Sequence, residues 1–424
     1  MKKHKIAIMG FGTVGGGAYD ILTGNADYIR STQGLDIQVA AILDRSAEPL
    51  KKRGVPESLF CGSIDALAAD PEIELVVETM GGVRPAKDFI VKLLTAGKSV
   101  VTANKELLAK HWSELESVAK ANGCGLFFEA SCVGGVPVIR ALGESIQGDK
   151  VRMLYGIING TTNYILSKMS RDGSSYDQAL EQARQKGFAE ADPTSDVEGY
   201  DAAYKLSILA SLAFHTCVPY TKIFREGISK VTAQDVINAR TLGYTIKLLA
   251  IGKRNGDAVE ARVHPVFVPD DHPLASVSGA NNAVYLNGDH VGDLMFYGAG
   301  AGAHPTGSAI VSDVIKGLKG DIKYCDFDNR GTLCDGIRFE EDFTSKYYIC
   351  LKVEDRAGVL SRVATVFGNN DVSINSALQH PDEDGAATLV FLTHDAKEHA
   401  VMQSLDEIGK LSSVKCINSM IRVI

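Results

Sequence analysis

A strand that runs straight into a glycine turn constrains this chain more than any other feature. Lys5–Met9 (KIAIM) reads as a strand with four apolar residues, and Gly10-Phe11-Gly12-Thr13-Val14-Gly15 follows at once. In a G-x-G-x-x-G turn the first glycine permits the tight bend and the second lets backbone approach a pyrophosphate. The third lets the following helix pack closely on the strand. The phosphate then sits on the helix N-terminus, where free N–H groups and the helix dipole favour an anion. Alone, such a turn is weak evidence. Here it opens a β-α-β pattern whose second strand ends in Asp44. Asp44 would accept the ribose 2′-hydroxyl of NAD, whereas Arg45, with Lys51, Lys52 and Arg53 nearby, would hold the 2′-phosphate of NADP. Both cofactors stay open. Asp44 lies further on than the usual ~20 residues, a gap that a longer first helix and loop across Gly24–Gly34 would absorb.

Residues 1–135 alternate short apolar runs with amphipathic segments, the pattern of a doubly wound parallel sheet. Ile37–Leu43, Leu75–Glu78, Ser99–Thr102 and Leu126–Glu129 read as strands, with helices over Ala86–Thr95 and Glu106–Ala121. Residues 136–299 mix strands (Val151–Ile158, Ala261–Phe267, Ala283–Leu286) with helices (Thr162–Met169, Tyr176–Lys186, Asp196–Phe214, Gln234–Ile251). Ser195-x-x-Glu198 resembles a capping box at the head of the third of these. A glycine-rich passage opens a further helix that would complete the first domain with residues 300–320, and 321–345 reads as a linker. Residues 346–424 read βαββαβ, a ferredoxin-like split unit. The fold class is therefore α/β: a Rossmann-like sheet, an α+β catalytic and dimerisation domain, and a C-terminal ferredoxin-like domain.

A net charge of −8 argues against a nucleic-acid or anionic-membrane partner. The apolar start is too short for a signal peptide and no run approaches ~20 apolar residues, so a cytoplasmic protein is expected. Eight cysteines without a C-x-x-C pair point to neither a zinc site nor a disulfide framework.

A nicotinamide cofactor implies hydride transfer, and reducing a carbonyl needs a proton for the alkoxide. His264, His272 and His304 all precede proline in loop-like contexts, and no histidine sits in a constellation. A lysine can donate instead if desolvation and a cationic nicotinamide depress its pKa. Lys105, beside Asn104 in VVTANKELLA, follows a strand directly, where parallel sheets bind ligands. Lys205 lies four residues after Asp201 at the edge of an apolar helix face. The plain reading is a solvated pair worth ~0.3–0.5 kcal/mol. Upstream, Glu190, Asp192, Asp196 and Glu198 join Asp201 around a proline, either as a solvated acidic loop or as a pocket for a substrate ammonium. Two rivals stand beside the lysine reading. Cys132 in ASCVGG could be a thiolate nucleophile, although no base is evident; the chain could also be a non-enzymatic nucleotide and amino-acid sensor.

GFGTVG, VVTANKELLA, FFEASCVGGVPVIR, GIINGTTNYIL, GFAEADPTSDVEGYDAAYKL and GAGAGAHPTGSAIVSD together resemble homoserine dehydrogenase, over almost all 424 residues. The resemblance implies reversible NAD(P)H-dependent reduction of aspartate 4-semialdehyde to homoserine, in the route to threonine, methionine and isoleucine. It implies that Lys205 donates the proton and that Lys105 lies near the nicotinamide and the substrate oxygen. Glu190, Asp201 and Asp196 would bind or orient the amino acid, Gly187 would line the site, and Thr102 and Gly302 would border the cofactor. A sodium ion would be held by backbone carbonyls of Glu129, Cys132, Gly134 and Val136, with Cys132 replacing the more usual valine. DRAGVLSRVA and VSINS resemble an ACT domain, which implies feedback by threonine through Gly358 and Asn375, or a dimerisation module without a ligand. A homodimer or homotetramer is expected.

Overall fold

The computed structural model describes residues 2–325, 336–382 and 385–424. Six parallel strands form the first sheet: β1 (Lys3–Met9), β2 (Asp36–Leu43), β3 (Phe60–Cys61), β4 (Ile73–Glu78), β5 (Ser99–Thr102) and β6 (Leu126–Phe127). Their order is β3-β2-β1-β4-β5-β6, so the winding reverses between β1 and β4. Ligands bind at such a switch point, beyond the carboxyl ends of the strands. Ile6, Ala7, Ile8 and Met9 are wholly buried because helices cover both faces, which is why β1 shows no polar alternation.

Helix α1 (Thr13–Gly24) follows the glycine turn, and α2 (Lys105–Ala121) follows β5. Gly10 takes a φ of 84°, and a Cβ on Gly15 would stand 2.1 Å from the Gly10 carbonyl oxygen, so the turn tolerates no side chain there. Further on lie α3 (Gly160–Asp172), α4 (Tyr200–Phe214), α5 (Ala233–Thr241) and α6 (Ala303–Leu318). Helix α6 returns to the first sheet: Ile310 and Val314 share a core with Ile6 and Ile8. It crosses α1 at backbone contact, since a Cβ on Gly17 would lie 2.2 Å from the Ala303 carbonyl oxygen.

The second sheet joins β7 (Val151–Ile157), β8 (Tyr244–Asn255), β9 (Ala258–Pro269), β10 (Asn281–Gly288) and β11 (Gly292–Ala299) to the C-terminal strands. Those are β12 (Thr344–Glu354), β13 (Ile374–Pro381), β14 (Ala386–Thr393) and β15 (Val414–Val423), with α7 (Val359–Asn369) and α8 (Glu398–Gly409) packed on them. The order is β11-β10-β7-β8-β9-β15-β12-β14-β13. Within the C-terminal unit the order is fourth, first, third, second, as the split βαββαβ reading requires. The seam is short and parallel: Val266 pairs with Arg422 and Phe267 with Val423.

Three expectations fail locally. Gln234–Ile251 is not one helix: it is α5 and then β8, separated at Gly243, whose φ is 81°. The apolar run of β8 is buried on both faces, and such a run carries no period that distinguishes strand from helix. Asp196–Phe214 is likewise broken, by Gly199 at a φ of 78°, into a turn at Thr194–Val197 and α4. Ser195 and Glu198 cap nothing, because the residue before α4 is Gly199 and no side chain caps it. Strand β6 stops at Phe127, where Glu129–Ser131 turns away as a short 3-10 helix. Helix Ala26–Gln33 stands where a loop across Gly24–Gly34 was expected, and strand β11 answers to no expectation. Residues 326–335 of the expected linker, Cys334 among them, lie outside the described residues.

Candidate active site

The first half of the site is backbone. Asp44 bonds the glycine turn itself: its carboxylate accepts the Phe11 N–H at 2.7 Å and the Arg45 N–H at 2.6 Å. Gly12 and Thr13 are exposed, and a Cβ on Gly12 would meet nothing within 4 Å, so the turn has an open side. Val14, Gly81, Gly82, Asn104 and Lys105 line a crevice of about 170 Å³ beyond β1, β4 and β5. Below it, Thr102 donates to the wholly buried Glu78 carboxylate at 2.6 Å. Burial raises the Glu78 carboxyl. Of the basic residues after Asp44, Arg53 pairs with Asp20 at 2.6 Å and Lys51 with Glu57 at 3.4 Å, while Arg45 and Lys52 are exposed. Gly302 precedes α6 with a φ of 124°.

The second half is side chain, and Asp201 is its centre. Its carboxylate bonds Lys205 Nζ at 2.7 Å on one oxygen and faces Lys105 Nζ at 3.3 Å on the other. Lys205 also donates to the Ile158 carbonyl at 2.9 Å, and its side chain is only 12% exposed. Asp201 stands in the first turn of α4, so Lys205 follows one helical turn later on the same face. Asn159 completes the arrangement: its amide donates to Asp201 at 2.9 Å and to Asp196 at 2.7 Å, while its oxygen accepts the Thr162 N–H and caps α3. Asn104 does the same for α2 through the Leu107 N–H, which sets Lys105 on the first turn.

Burial alone would raise the Asp201 carboxyl, but Lys205 and Lys105 outweigh it and hold the group well below the usual carboxylate range. Asp196 moves the opposite way, through burial first and then the Asp201 charge. At Lys105 the expected depression is reversed, because the Asp201 carboxylate raises it.

Glu190 is exposed and bonds none of this cluster, and Gly187 ends the turn after Tyr176–Gln185 at a φ of 74°. Their loop is tied to α3 where Thr161 donates to the Phe188 carbonyl at 2.6 Å. Cys132 is fully buried, with Sγ 3.8 Å from the Lys205 carbonyl oxygen, and burial pushes its thiol up to about 12. A protonated, inaccessible thiol is a poor nucleophile. Glu129 spends its carboxylate on the Ile139 and Arg140 N–H groups, at 3.1 and 2.8 Å, and its own N–H on Asp313. Val133 and Gly134 take φ values of 58° and 57°, and the Val136 carbonyl already accepts the Val138 N–H. In the C-terminal unit Gly358 and Asn375 are both exposed and no bond joins them. No motif singles out Asn159 or Glu78; the signals the sequence offers for them are an asparagine just ahead of a helix and an acid ending an apolar strand.

Comparison with known proteins agrees from end to end. The family model described as "Homoserine dehydrogenase, NAD binding domain" matches residues 10–129, "Homoserine dehydrogenase" matches 137–315, and "ACT domain" matches 347–411. A homoserine dehydrogenase of Bacillus subtilis is 37% identical over 431 residues, spanning 100% of this chain and 99% of its own. One from Synechocystis is 40% identical, over 99% of each chain. The crystal structure of a homoserine dehydrogenase from Thiobacillus denitrificans superposes with a TM-score of 0.92 at 37% identity, covering 100% of this chain and 99% of that one. A hyperthermophilic archaeal homoserine dehydrogenase in complex with NADPH matches 76% of this chain and 100% of its own, at 28% identity and a TM-score of 0.65. This chain, with its NAD(P)-binding sheet and C-terminal ACT domain, therefore belongs to the homoserine dehydrogenase family.

Proposed function

We propose that this chain reversibly reduces L-aspartate 4-semialdehyde to L-homoserine, with Lys205 as the proton donor. NAD(P)H, bound over the glycine turn, supplies the hydride. The open side of Gly12 and the crevice beside Lys105 suit that group. As the carbonyl carbon is reduced, Lys205 Nζ gives a proton to the developing alkoxide, and Asp201 orients the ammonium throughout. Lys105 stabilises the same oxygen from the first-sheet side. Asp196 and Glu190 receive the substrate ammonium, with Gly187 leaving room at the loop. NAD would be read by Asp44, and NADP by the exposed Arg45 and Lys52. The observation that carries the reading is one buried carboxylate held between two lysines from two different helices.

The tight turn from Glu129 through Cys132 and Gly134 to Val136 is our candidate for a sodium ion held by carbonyls. For the ACT domain we propose threonine feedback through Gly358 and Asn375. Its route to the site would be Arg422, which donates to Glu226 at 2.7 Å. The neighbouring Arg225 bonds the Glu198 carbonyl and stacks 3.4 Å from the Tyr200 ring centre, beside Asp201. Assembly as a homodimer or homotetramer in the cytoplasm completes the reading.

Steady-state homoserine oxidation with NAD and with NADP, each with and without threonine and sodium, tests these points together. Absence of homoserine-dependent reduction of either cofactor overturns the assignment.

A further inference from the structure

Beyond the lysine–aspartate site, along α3, lies a second basic cavity that the reaction does not use. Lys247 of β8 is 2% exposed, and among the described residues no carboxylate pairs with it. Its ammonium donates to the Val277 carbonyl and, at 3.3 Å, to Asn163 Oδ1. An ammonium carries three donors, so one is left over. Burial alone moves this lysine, down to about 8, with no opposite charge offsetting it. Lys98, also buried, is different: the Asp70 and Ile73 carbonyls receive it and the Asp70 charge partly offsets its burial. A buried cation without a counter-charge is costly, and folds usually supply a partner.

Lys247 lines a cavity of about 310 Å³ together with Tyr164, Ser167, Lys168, Arg171, Thr245 and Ser278. The Tyr164 hydroxyl is buried and has no hydrogen-bond partner among the described residues. The acids nearby are few. Asp172 is shared by Lys168 and, at 2.8 Å, by Arg171, and Asp270 approaches through the Thr245 hydroxyl at 2.8 Å. Among the described residues that line the cavity, Lys168, Arg171 and Lys247 are cations and none is an acid.

We propose that this cavity binds a small oxyanion, a carboxylate or phosphate group, between the Lys247 ammonium and the Tyr164 hydroxyl, with Arg171 at the mouth. The site would bear on α3 through Asn163, one helical turn beyond Asn159, whose amide holds Asp196 and Asp201. Occupancy would thus stiffen the helix that aligns the acids, without contact with the substrate.

The test uses the full chain saturated with NADPH, so that phosphate does not report the glycine turn. Sodium phosphate and sodium acetate are titrated against sodium chloride at constant ionic strength, by calorimetry and thermal midpoint. One saturable anion per chain is expected, absent in Lys247→Met and at least five-fold weaker in Arg171→Ala and Tyr164→Phe. Phosphate alone marks a phosphorylated ligand; acetate binding as well marks a carboxylate. Should Lys247→Met not fold, the other two variants decide. Unchanged affinity in both of them, or no saturable binding of either anion, overturns the site. Arg171→Ala keeps wild-type homoserine turnover, so failure here is separable from failure of the reaction.

Discussion

The two sheets of this molecule are built by opposite routes. The first is six parallel strands drawn from one stretch of chain, closed by a single late helix, α6. The second is antiparallel over most of its width, yet its two halves meet through a two-residue parallel seam between β9 and β15. The contrast extends to chemistry. The crevice beside the glycine turn is made largely of backbone at the end of one sheet, whereas the lysine–aspartate cluster is made of side chains that three helices bring together. A backbone site survives most substitutions outside its glycines; a side-chain site fails with any one of its members.

The largest effect should come from the side-chain site. Lys205→Ala should lower kcat by about 10²–10⁴-fold while leaving the fluorescence-measured Kd for NADPH unchanged. Asp201→Asn should do nearly as much, since Lys205 and Lys105 would lose the carboxylate they share. A Lys205→Ala enzyme with undiminished kcat would erase the distinction between the two halves.

Next comes the seam. Arg422 is buried against Glu226 and Glu398. Arg422→Ala takes the charged partner from both acids, Glu398 keeping only the Tyr347 hydroxyl, and should cost about 3–5 kcal/mol. Calorimetry should then split one unfolding transition into two, the C-terminal unit melting first. A single transition at the wild-type midpoint would mean that the sheet halves are held by something else.

In the first sheet the sensitive point is backbone contact. Gly17→Ala would press a methyl group into the Ala303 carbonyl and should cost about 1–3 kcal/mol. It should weaken NADPH binding and leave the melting of the C-terminal unit unmoved, a separation that urea titration with domain-specific probes can check.

The smallest effect sharpens the side-chain site itself, where neighbouring acids titrate in opposite senses. Asp201 has a folded pKa below its unfolded one, so its stabilisation is full above about pH 4 and fades as pH falls further. Asp196 has a raised folded pKa, so stability falls as pH rises through the window between its unfolded and folded values. At pH 7 Asp196→Asn should therefore raise the thermal midpoint slightly and Asp201→Asn should lower it. Equal shifts in the same direction would contradict the shared Asn159 arrangement.

Much of this could be read in advance because it is local. The glycine turn declares itself through spacing, since close backbone approach excludes side chains wherever it occurs. The Asp201–Lys205 pair followed from helical period, even though the expected cap at Ser195 and Glu198 was wrong. Gly199 ends one turn and starts the next helix, and a glycine at positive φ leaves no periodic trace. Strand β8 defies its expectation for the converse reason: its run Ile246–Ile251 is buried on both faces and has no period.

By itself, then, the order of residues determined the longer strands and helices of the parallel half, the glycine turn at the end of its first strand, and which lysines are candidates. These are consequences of short-range sterics and of periods of two and 3.6 residues. Tertiary structure alone decided that Asn159 would bridge Asp196 and Asp201, that Lys105 would reach the same carboxylate as Lys205, and that β15 would pair with β9 in the second sheet. Each of these joins residues far apart in the chain, and such contacts are chosen by how buried surfaces and unsatisfied polar groups fit once the whole molecule has closed.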